Sequence, residues 1–148
     1  YVEIRDRYEI PPELLEIEFT ESILVDNTPL LLKTVGELKK AGFSCSIDDF
    51  GKGYSSLSLL KNLPVDVLKI DRLFFVDEDG REQDLELAHS VIDLVRKFHI
   101  RTVAEGVESE EQVEQLKEFG CDYVQGYVFY RPMPQEEYEG LLSHLLLE

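Results

Sequence analysis

Apolar residues in this chain recur in two alternating rhythms. From Leu14 to Thr20, Leu15, Ile17 and Phe19 alternate with Glu16 and Glu18, and a period of two marks a strand with one buried face. The rhythm then lengthens. Pro29 to Lys40 reads as a helix, with Asn27 and Thr28 able to cap it, Pro29 suited to its first turn and Gly42 placed to stop it. The alternation repeats down the chain. Ser44 to Phe50 is a second strand, Ser56 to Asn62 a short helix closed by Leu63-Pro64, and Val67 to Ile70 a third strand. Asp77 to Asp84 is charged and contains Gly80, which predicts an exposed loop. Leu85 to Phe98 returns to helical spacing through Leu87, Val91, Leu94, Val95 and Phe98. Arg101 to Val107 is the fourth strand. Ser109 and Gln112 form a capping box for a helix running to Phe119 and stopped by Gly120. Asp122 to Tyr127 is the fifth strand, and a last helix starts near Pro134 with Leu141, Leu142, Leu145 and Leu146 read as core.

Strands alternating with helices imply a parallel sheet with right-handed crossovers. Either an open doubly wound sheet or a (β/α) barrel fits that order. The polar residues separate them. Glu18 and Glu21 close the first strand, Asp48 and Asp49 the second, Lys69 and Asp71 the third, Glu105 and Glu108 the fourth, and Gln125 the fifth. A barrel gathers all those C-terminal ends on one rim, where barrel active sites lie. An open sheet concentrates function at a switch point, and no G-x-G-x-x-G loop marks one.

The chain is long enough for one domain with a sizeable core, at 148 residues. Aspartate and glutamate number 31 against 15 lysines and arginines, for a formal charge of −16. That balance argues against a DNA or RNA footprint. It leaves room for a small anionic ligand, because bound metal ions reverse the local field. No apolar run approaches the roughly 20 residues of a membrane span, and no secretory signal is visible. Two cysteines, Cys45 and Cys121, are too few for a disulfide scaffold; they read as small core residues in a reduced, cytoplasmic setting. The first residue is Tyr1 rather than methionine, so the chain is expected to be a piece of something longer.

The tetrad Asp48-Asp49-Phe50-Gly51 sets two carboxylates side by side at the mouth of a strand. Adjacent like charges disfavour one another's ionisation, and a divalent metal is the strongest candidate to relieve them. Singly, the rim residues have plainer explanations. Glu18 reads as a solvated strand residue, Asp48 or Asp49 as a turn cap, Lys69 as a snorkelling chain, and Glu105 and Glu108 as residues favouring a helix N-terminus. Gln125, before Gly126, reads as a turn residue. Together, Glu18, Asp48, Asp49 and Glu105 offer hard oxygen ligands suited to magnesium or manganese. A bridging carboxylate can hold two metals about 4 Å apart, the geometry for in-line attack on phosphorus. Lys69 is then a fixed cation near water or phosphate. The Asp-Phe-Gly of protein kinases is a look-alike, but no H-R-D element precedes it and no A-P-E follows.

Five segments, LEIEFTES (Leu15 to Ser22), IDDFGKGYSSL (Ile47 to Leu57), LKID (Leu68 to Asp71), VAEGVE (Val103 to Glu108) and QGYVFYRP (Gln125 to Pro132), resemble in order and spacing the C-terminal part of the EAL domain, a bacterial cyclic di-GMP phosphodiesterase. The resemblance covers almost the whole chain. It implies a (β/α)8 TIM-like barrel, here a partial barrel of about five βα units, and hydrolysis of cyclic di-GMP to linear pGpG with two Mg2+ or Mn2+ ions. It implies that Glu18 and Asp48 bind the first metal, that Asp48 bridges to a second held by Asp49, and that Glu105 is a metal ligand or the base. Lys69 would orient the attacking water, Gln125 and Asp71 would bind substrate, and Glu21, with Glu108, would anchor the loop after Asp48. In the family that loop couples metal binding to dimerisation; the two strand edges opened by a partial barrel tend to pair with another chain, so a homodimer or higher assembly is expected, as is an upstream regulatory domain. Intact, such a protein is cytoplasmic or faces the cytoplasm from a membrane tether.

Three departures stand out. The E-x-L signature and its following asparagine ligand are absent, and the chain is shorter than a typical barrel by on the order of 100 residues; the isolated chain is therefore expected to be inactive. Lys52 holds a loop position that is usually small or threonine, and Tyr130 one that is usually glycine or serine. The alternative is a non-catalytic EAL-like module that binds cyclic di-GMP or another protein.

Overall fold

The computed structural model describes residues 1–23, 28–52, 62, 64–75 and 82–145. A short helix, α1 (Val2–Arg7), and a single 3-10 turn (Pro12–Leu14) lead into β1 (Glu16–Thr20). Then follow α2 (Thr28–Lys40), β2 (Ser44–Phe50), β3 (Val67–Ile70), a 3-10 turn (Arg72–Phe74), α3 (Glu82–Arg96), β4 (Arg101–Glu105), α4 (Glu110–Glu118), β5 (Tyr123–Gln125) and α5 (Gln135–Leu145). The expected helix at 56–62, like much of the expected loop at 77–84, lies outside the described residues.

The strands form one parallel sheet in the order β1-β2-β3-β4-β5. Each strand pairs with its sequence neighbour and the order never reverses, so there is no switch point; this is the strand order of a barrel wall. The rim reading of the sequence is borne out. Among the described residues no helix is long and apolar enough to cross a membrane.

One face of the sheet is packed. Ile17, Phe19, Cys45, Ile47, Leu68, Ile70 and Ala104 meet Leu31 and Val35 of α2, Val91, Ile92 and Val95 of α3, and Leu116 of α4. Alternation along each strand sends the residues between them to the other face: Glu18, Ser46, Asp48, Lys69, Glu105 and Gln125. The helical spacing read in α3 is thus a core stripe. The exception is Leu87, which stands exposed.

The differences from the sequence reading are local. β1 starts at Glu16 because Pro12–Leu14 closes a 3-10 turn. β4 stops at Glu105 because Gly106 turns the chain at φ +69. β5 stops at Gln125, since Gly126 lies so close to Val107 that a Cβ would sit 2.0 Å from its carbonyl oxygen. The helix expected from Leu85 begins at Glu82, the acidic residues Glu82 and Asp84 suiting a first turn. Leu142 is exposed rather than core. The capping box is as read: the Ser109 Oγ accepts from the Gln112 N–H, and the Gln112 Oε1 accepts from the Ser109 N–H.

At the N-terminal ends of the strands, two aspartates perform the same task one strand pair apart. Asp66, just before β3, accepts the Cys45 N–H of β2 at 2.8 Å, along with Ser44 Oγ and the Lys39 ammonium. Asp122, just before β5, accepts the Thr102 N–H of β4 at 2.8 Å and its hydroxyl at 3.0 Å. Each satisfies a backbone donor that the ladder leaves over. Burial opposes the charge of Asp66, but the Lys39, Cys45 and Ser44 donors outweigh it and hold its carboxyl below the ordinary 3.8. A depressed folded-state pKa means stability that is present above 3.8 and lost as pH falls through the lower folded value. Asp66→Ala and Asp122→Ala should each cost about 1–3 kcal/mol at neutral pH, the cost of an orphaned buried N–H. In urea unfolding across pH, the gap between wild type and Asp66→Ala should shrink below pH 3.8; a gap that does not change with pH would contradict the account.

Candidate active site

Lys69 stands in the middle strand of the sheet, and its ammonium gathers carboxylates from three others. Nζ lies 2.8 Å from Glu18 Oε1 of β1, 2.8 Å from Glu105 Oε1 of β4 and 3.5 Å from Asp48 Oδ1 of β2. The Lys69 side chain is 11% exposed. Burial works against its charge, but the bonds to Glu105 and Glu18 and the field of Glu105 and Asp48 win, and its pKa rises. Glu105 is raised instead: burial and the Asp48 carboxylate push it up against the pull of Lys69. A carboxylate whose pKa is raised is a stronger base than a free one, which suits it to taking a proton from water.

The neighbouring carboxylates of Asp48 and Asp49 do not share a direction. Between Ile47 and Phe50, β2 carries one residue more than β3, a bulge that falls on the aspartate pair. Asp49 takes φ +58, a left-handed conformation that aspartate tolerates better than most residues. Its N–H returns to Asp48 Oδ1 at 2.9 Å, while its own carboxylate meets Lys52 Nζ at 2.5 Å. The same ammonium lies 2.9 Å from Asp71 Oδ2. Thus Asp48 is offset by Lys69 and Asp49 by Lys52. The repulsion read in the sequence is relieved within the chain, so charge balance by itself does not call for a metal.

The loop leaving Asp49 is fixed at its root. The Gly51 N–H donates to Glu21 Oε2 at 2.9 Å, and the Glu21 N–H donates to the Asp48 carbonyl at 3.0 Å. Gly51 has φ +112, and a Cβ there would fall 2.0 Å from the Phe74 ring, so only glycine fits. Asp71 is buried; besides pairing with Lys52 it accepts the Leu73 N–H at 3.0 Å, capping the turn that carries Phe74.

Gln125 sits in register with Glu105. Together with Glu108 it lines a cavity of about 780 Å³ whose wall includes Arg72, Tyr127, Phe129, Arg131 and Tyr138. The structure therefore brings Glu18, Asp48, Lys69 and Glu105 into direct contact, sets Asp49, Lys52 and Asp71 beside them, and places Gln125 and Glu108 in the adjoining cavity. Lys52 and the cavity's arginines were not singled out as site residues from the sequence. The signal for Lys52 was a lysine three residues after Asp49, at a loop position that is usually small or threonine; for the cavity it was the aromatic run from Tyr123 to Tyr130.

The donor set is oxygen and anionic throughout, with no thiolate or imidazole at the rim. That chemistry fits a hard divalent cation, and the three carboxylates on Lys69 already converge on positive charge. As they stand, among the described residues no three Asp, Glu, His or Cys groups are arranged to hold a metal ion; the carboxylates face the ammonium.

The sequence profile of the EAL domain matches residues 1–132. The chain belongs to the EAL domain family. It is 44% identical over 128 residues to the cyclic di-GMP phosphodiesterase NbdA of Pseudomonas aeruginosa, covering 86% of this chain and 16% of NbdA. It resembles a solved structure described as the PaMucR phosphodiesterase in complex with c-di-GMP, with a TM-score of 0.86 and 39% identity over 92% of this chain and 55% of that one. BlrP1 of Klebsiella pneumoniae, solved as a manganese/cy-diGMP complex, matches with a TM-score of 0.81 and 32% identity, covering 88% of this chain and 33% of that one. The chain spans less than a fifth of the length of the curated relatives it matches. These likenesses make the five-stranded sheet part of an EAL-type barrel.

Lys69→Met leaves Glu18, Asp48 and Glu105 facing one another. In chelator at neutral pH it should cost about 3 kcal/mol, the low end of the range for removing one partner of a buried pair because Glu18 is half exposed. The loss should shrink as pH falls and the carboxylates protonate. Because the Lys69 pKa is raised, the ammonium's own titration removes nothing below 10.5, and at high pH the contribution fades only above that value. Urea midpoints across pH check both limbs; an unchanged midpoint at pH 7 would contradict the role given to Lys69.

Proposed function

We propose that this chain supplies the C-terminal βα units of a cyclic di-GMP phosphodiesterase that opens the cyclic dinucleotide to linear pGpG. The observation that carries the reading is the Lys69 cluster, in which three strands deliver carboxylates to one buried ammonium. A degenerate binding module has no need to keep that arrangement. The names of the relatives, cyclic di-GMP phosphodiesterases among them, support the substrate.

In this reading Glu18, Asp48 and Asp49 would hold Mg2+ or Mn2+, two ions in the intact site, with Glu105 either the base or a further ligand. When bound, the ions stabilise negative charge on the phosphoryl oxygens and lower the pKa of water. The Lys69 ammonium orients the attacking water by donating to its oxygen. Glu105, its carboxyl raised by burial, accepts the proton that water loses. The P–O3′ bond breaks as the new P–O bond forms, and the departing O3′ takes a proton from solvent to become the 3′-hydroxyl of linear pGpG. Gln125 and Asp71 face the substrate side, and Glu21 with Glu108 holds the loops around it. Arg72 and Arg131 in the adjoining cavity give an anion favourable contacts in an otherwise acidic chain.

The sheet edges at β1 and β5 are completed by the remaining βα units of the barrel, with a second copy of the domain and a regulatory domain in the full protein. Such a protein acts in the cytoplasm or on the cytoplasmic side of a membrane; the thiols of Cys45 and Cys121 are unpaired.

Glu105→Gln in the intact domain tests the assignment through Mn2+-dependent turnover of cyclic di-GMP. A fall in kcat of about 10²–10⁴-fold, the usual contribution of a general base, with Mn2+ occupancy unchanged, identifies Glu105 as the base. A matching fall in occupancy identifies it as a ligand. Turnover that survives the substitution unchanged would overturn the reading.

A further inference from the structure

Two lysines face the aspartate pair, and they differ in freedom. Lys69 is anchored in the central strand and 11% exposed. Lys52 stands on the loop root with its side chain 49% exposed, reaching Asp49 at 2.5 Å and Asp71 at 2.9 Å. The bulge and the left-handed φ of Asp49 aim its carboxylate at Lys52 rather than at the Lys69 cluster. The Asp49 carboxylate is itself 40% exposed, so solvent ions reach it.

From this we propose that Lys52 is an exchangeable internal counter-cation for Asp49, competing with a divalent ion for that carboxylate and so weakening the binding of one of the site's two metals. The inference rests on the reading of Asp49 as a metal ligand and adds a residue that tunes it. Two carboxylates against one ammonium leave a residual negative charge, which a divalent ion would neutralise. An exposed ammonium on a flexible stem leaves at small cost, since surface ion pairs are weak. Lys69, held by three carboxylates, does not leave in the same way. The cluster thus contains one fixed cation and one replaceable cation. Displacing Lys52 also removes a partner from Asp71, which caps the turn carrying Phe74 against Gly51. Occupancy at Asp49 therefore bears on the root of the loop.

The test is Mn2+ binding, by calorimetry and by electron paramagnetic resonance of free Mn2+, to the intact protein that carries this chain. Lys52→Thr removes the ammonium, and Lys52→Met keeps the unbranched apolar stem without it. Far-UV spectra and urea midpoints identify any variant that misfolds. Both variants should bind the weaker class of Mn2+ about three- to tenfold more tightly than wild type, the scale of two exposed ion pairs released. Asp49→Asn should abolish that class in wild type and abolish the gain in the Lys52→Thr background. If Asp49→Asn removes the weaker class while neither Lys52 variant changes its affinity, the competition is refuted and the ligand assignment stands. If Asp49→Asn leaves Mn2+ binding unaltered, the ligand assignment fails and the proposal with it.

Discussion

The rim of this sheet is held together by one buried positive charge. Lys69 sits in the middle strand, and its ammonium is shared by carboxylates from the strands on either side and the one beyond. A charge so little exposed is costly unless paired, and carboxylates of three strands brought together on one rim are costly unless a cation joins them. Each defect cures the other. The packed face needs no such device: Ile47, Leu68 and Ile70 bury themselves against the helices by hydrophobic contact. The two faces of β3 therefore follow different physics. Leu68 and Ile70 stabilise by burial, while Lys69 between them is an electrostatic linchpin whose partners are carboxylates of three other strands.

The bulge in β2 is the second constraint. In a regular strand two consecutive side chains point to opposite faces, and Asp49 would be driven into the packed face among the helices. An extra residue and a left-handed φ keep it on the rim instead. The geometry is supported from three sides: Glu21 grips the Gly51 N–H, the Asp48 carbonyl accepts from Glu21, and the Phe50 carbonyl accepts the Asp71 N–H. Phe74 then leaves Gly51 no room for a side chain. Strained conformations persist where surroundings over-determine them, and these contacts supply that surrounding.

Fold and site were legible in the sequence to different depths. Strand faces were readable because period-two alternation is set by burial, which needs no knowledge of partners; β1 and β2 are examples. The capping box at Ser109 was readable because it is local. The barrel order followed from polar residues recurring at strand ends. What the sequence left hidden was relational. That Lys69 would touch Glu18 depends on residues 51 positions apart meeting through register. That Asp48 and Asp49 would part company depends on a bulge with no compositional mark. Nor does the sequence show that two different lysines reach the aspartate pair, Lys69 to Asp48 and Lys52 to Asp49. The helix α1 and the turn Pro12–Leu14 escaped notice because they bury nothing, and periodicity reports burial.

The two ends of the sheet use the same acidic residue type for different purposes, and the partner tells them apart. At the N-terminal ends, Asp66 and Asp122 accept backbone N–H groups of a neighbouring strand. Those donors cannot move without unmaking the ladder, so the carboxylates are committed to structure. At the C-terminal rim, Asp48 and Glu105 pair with a lysine side chain, as does Glu18. An ammonium can turn or donate to water while the strands stay where they are. A chain carrying a net charge of −16 can thus place some carboxylates where they stabilise the fold and others where their negative charge stays available. The available ones lie where a barrel presents its active site. In the proposed function an anionic substrate approaching that rim would meet Lys69 and the arginines of the adjoining cavity, so the ammonium that quiets the carboxylates at rest would also attract phosphate.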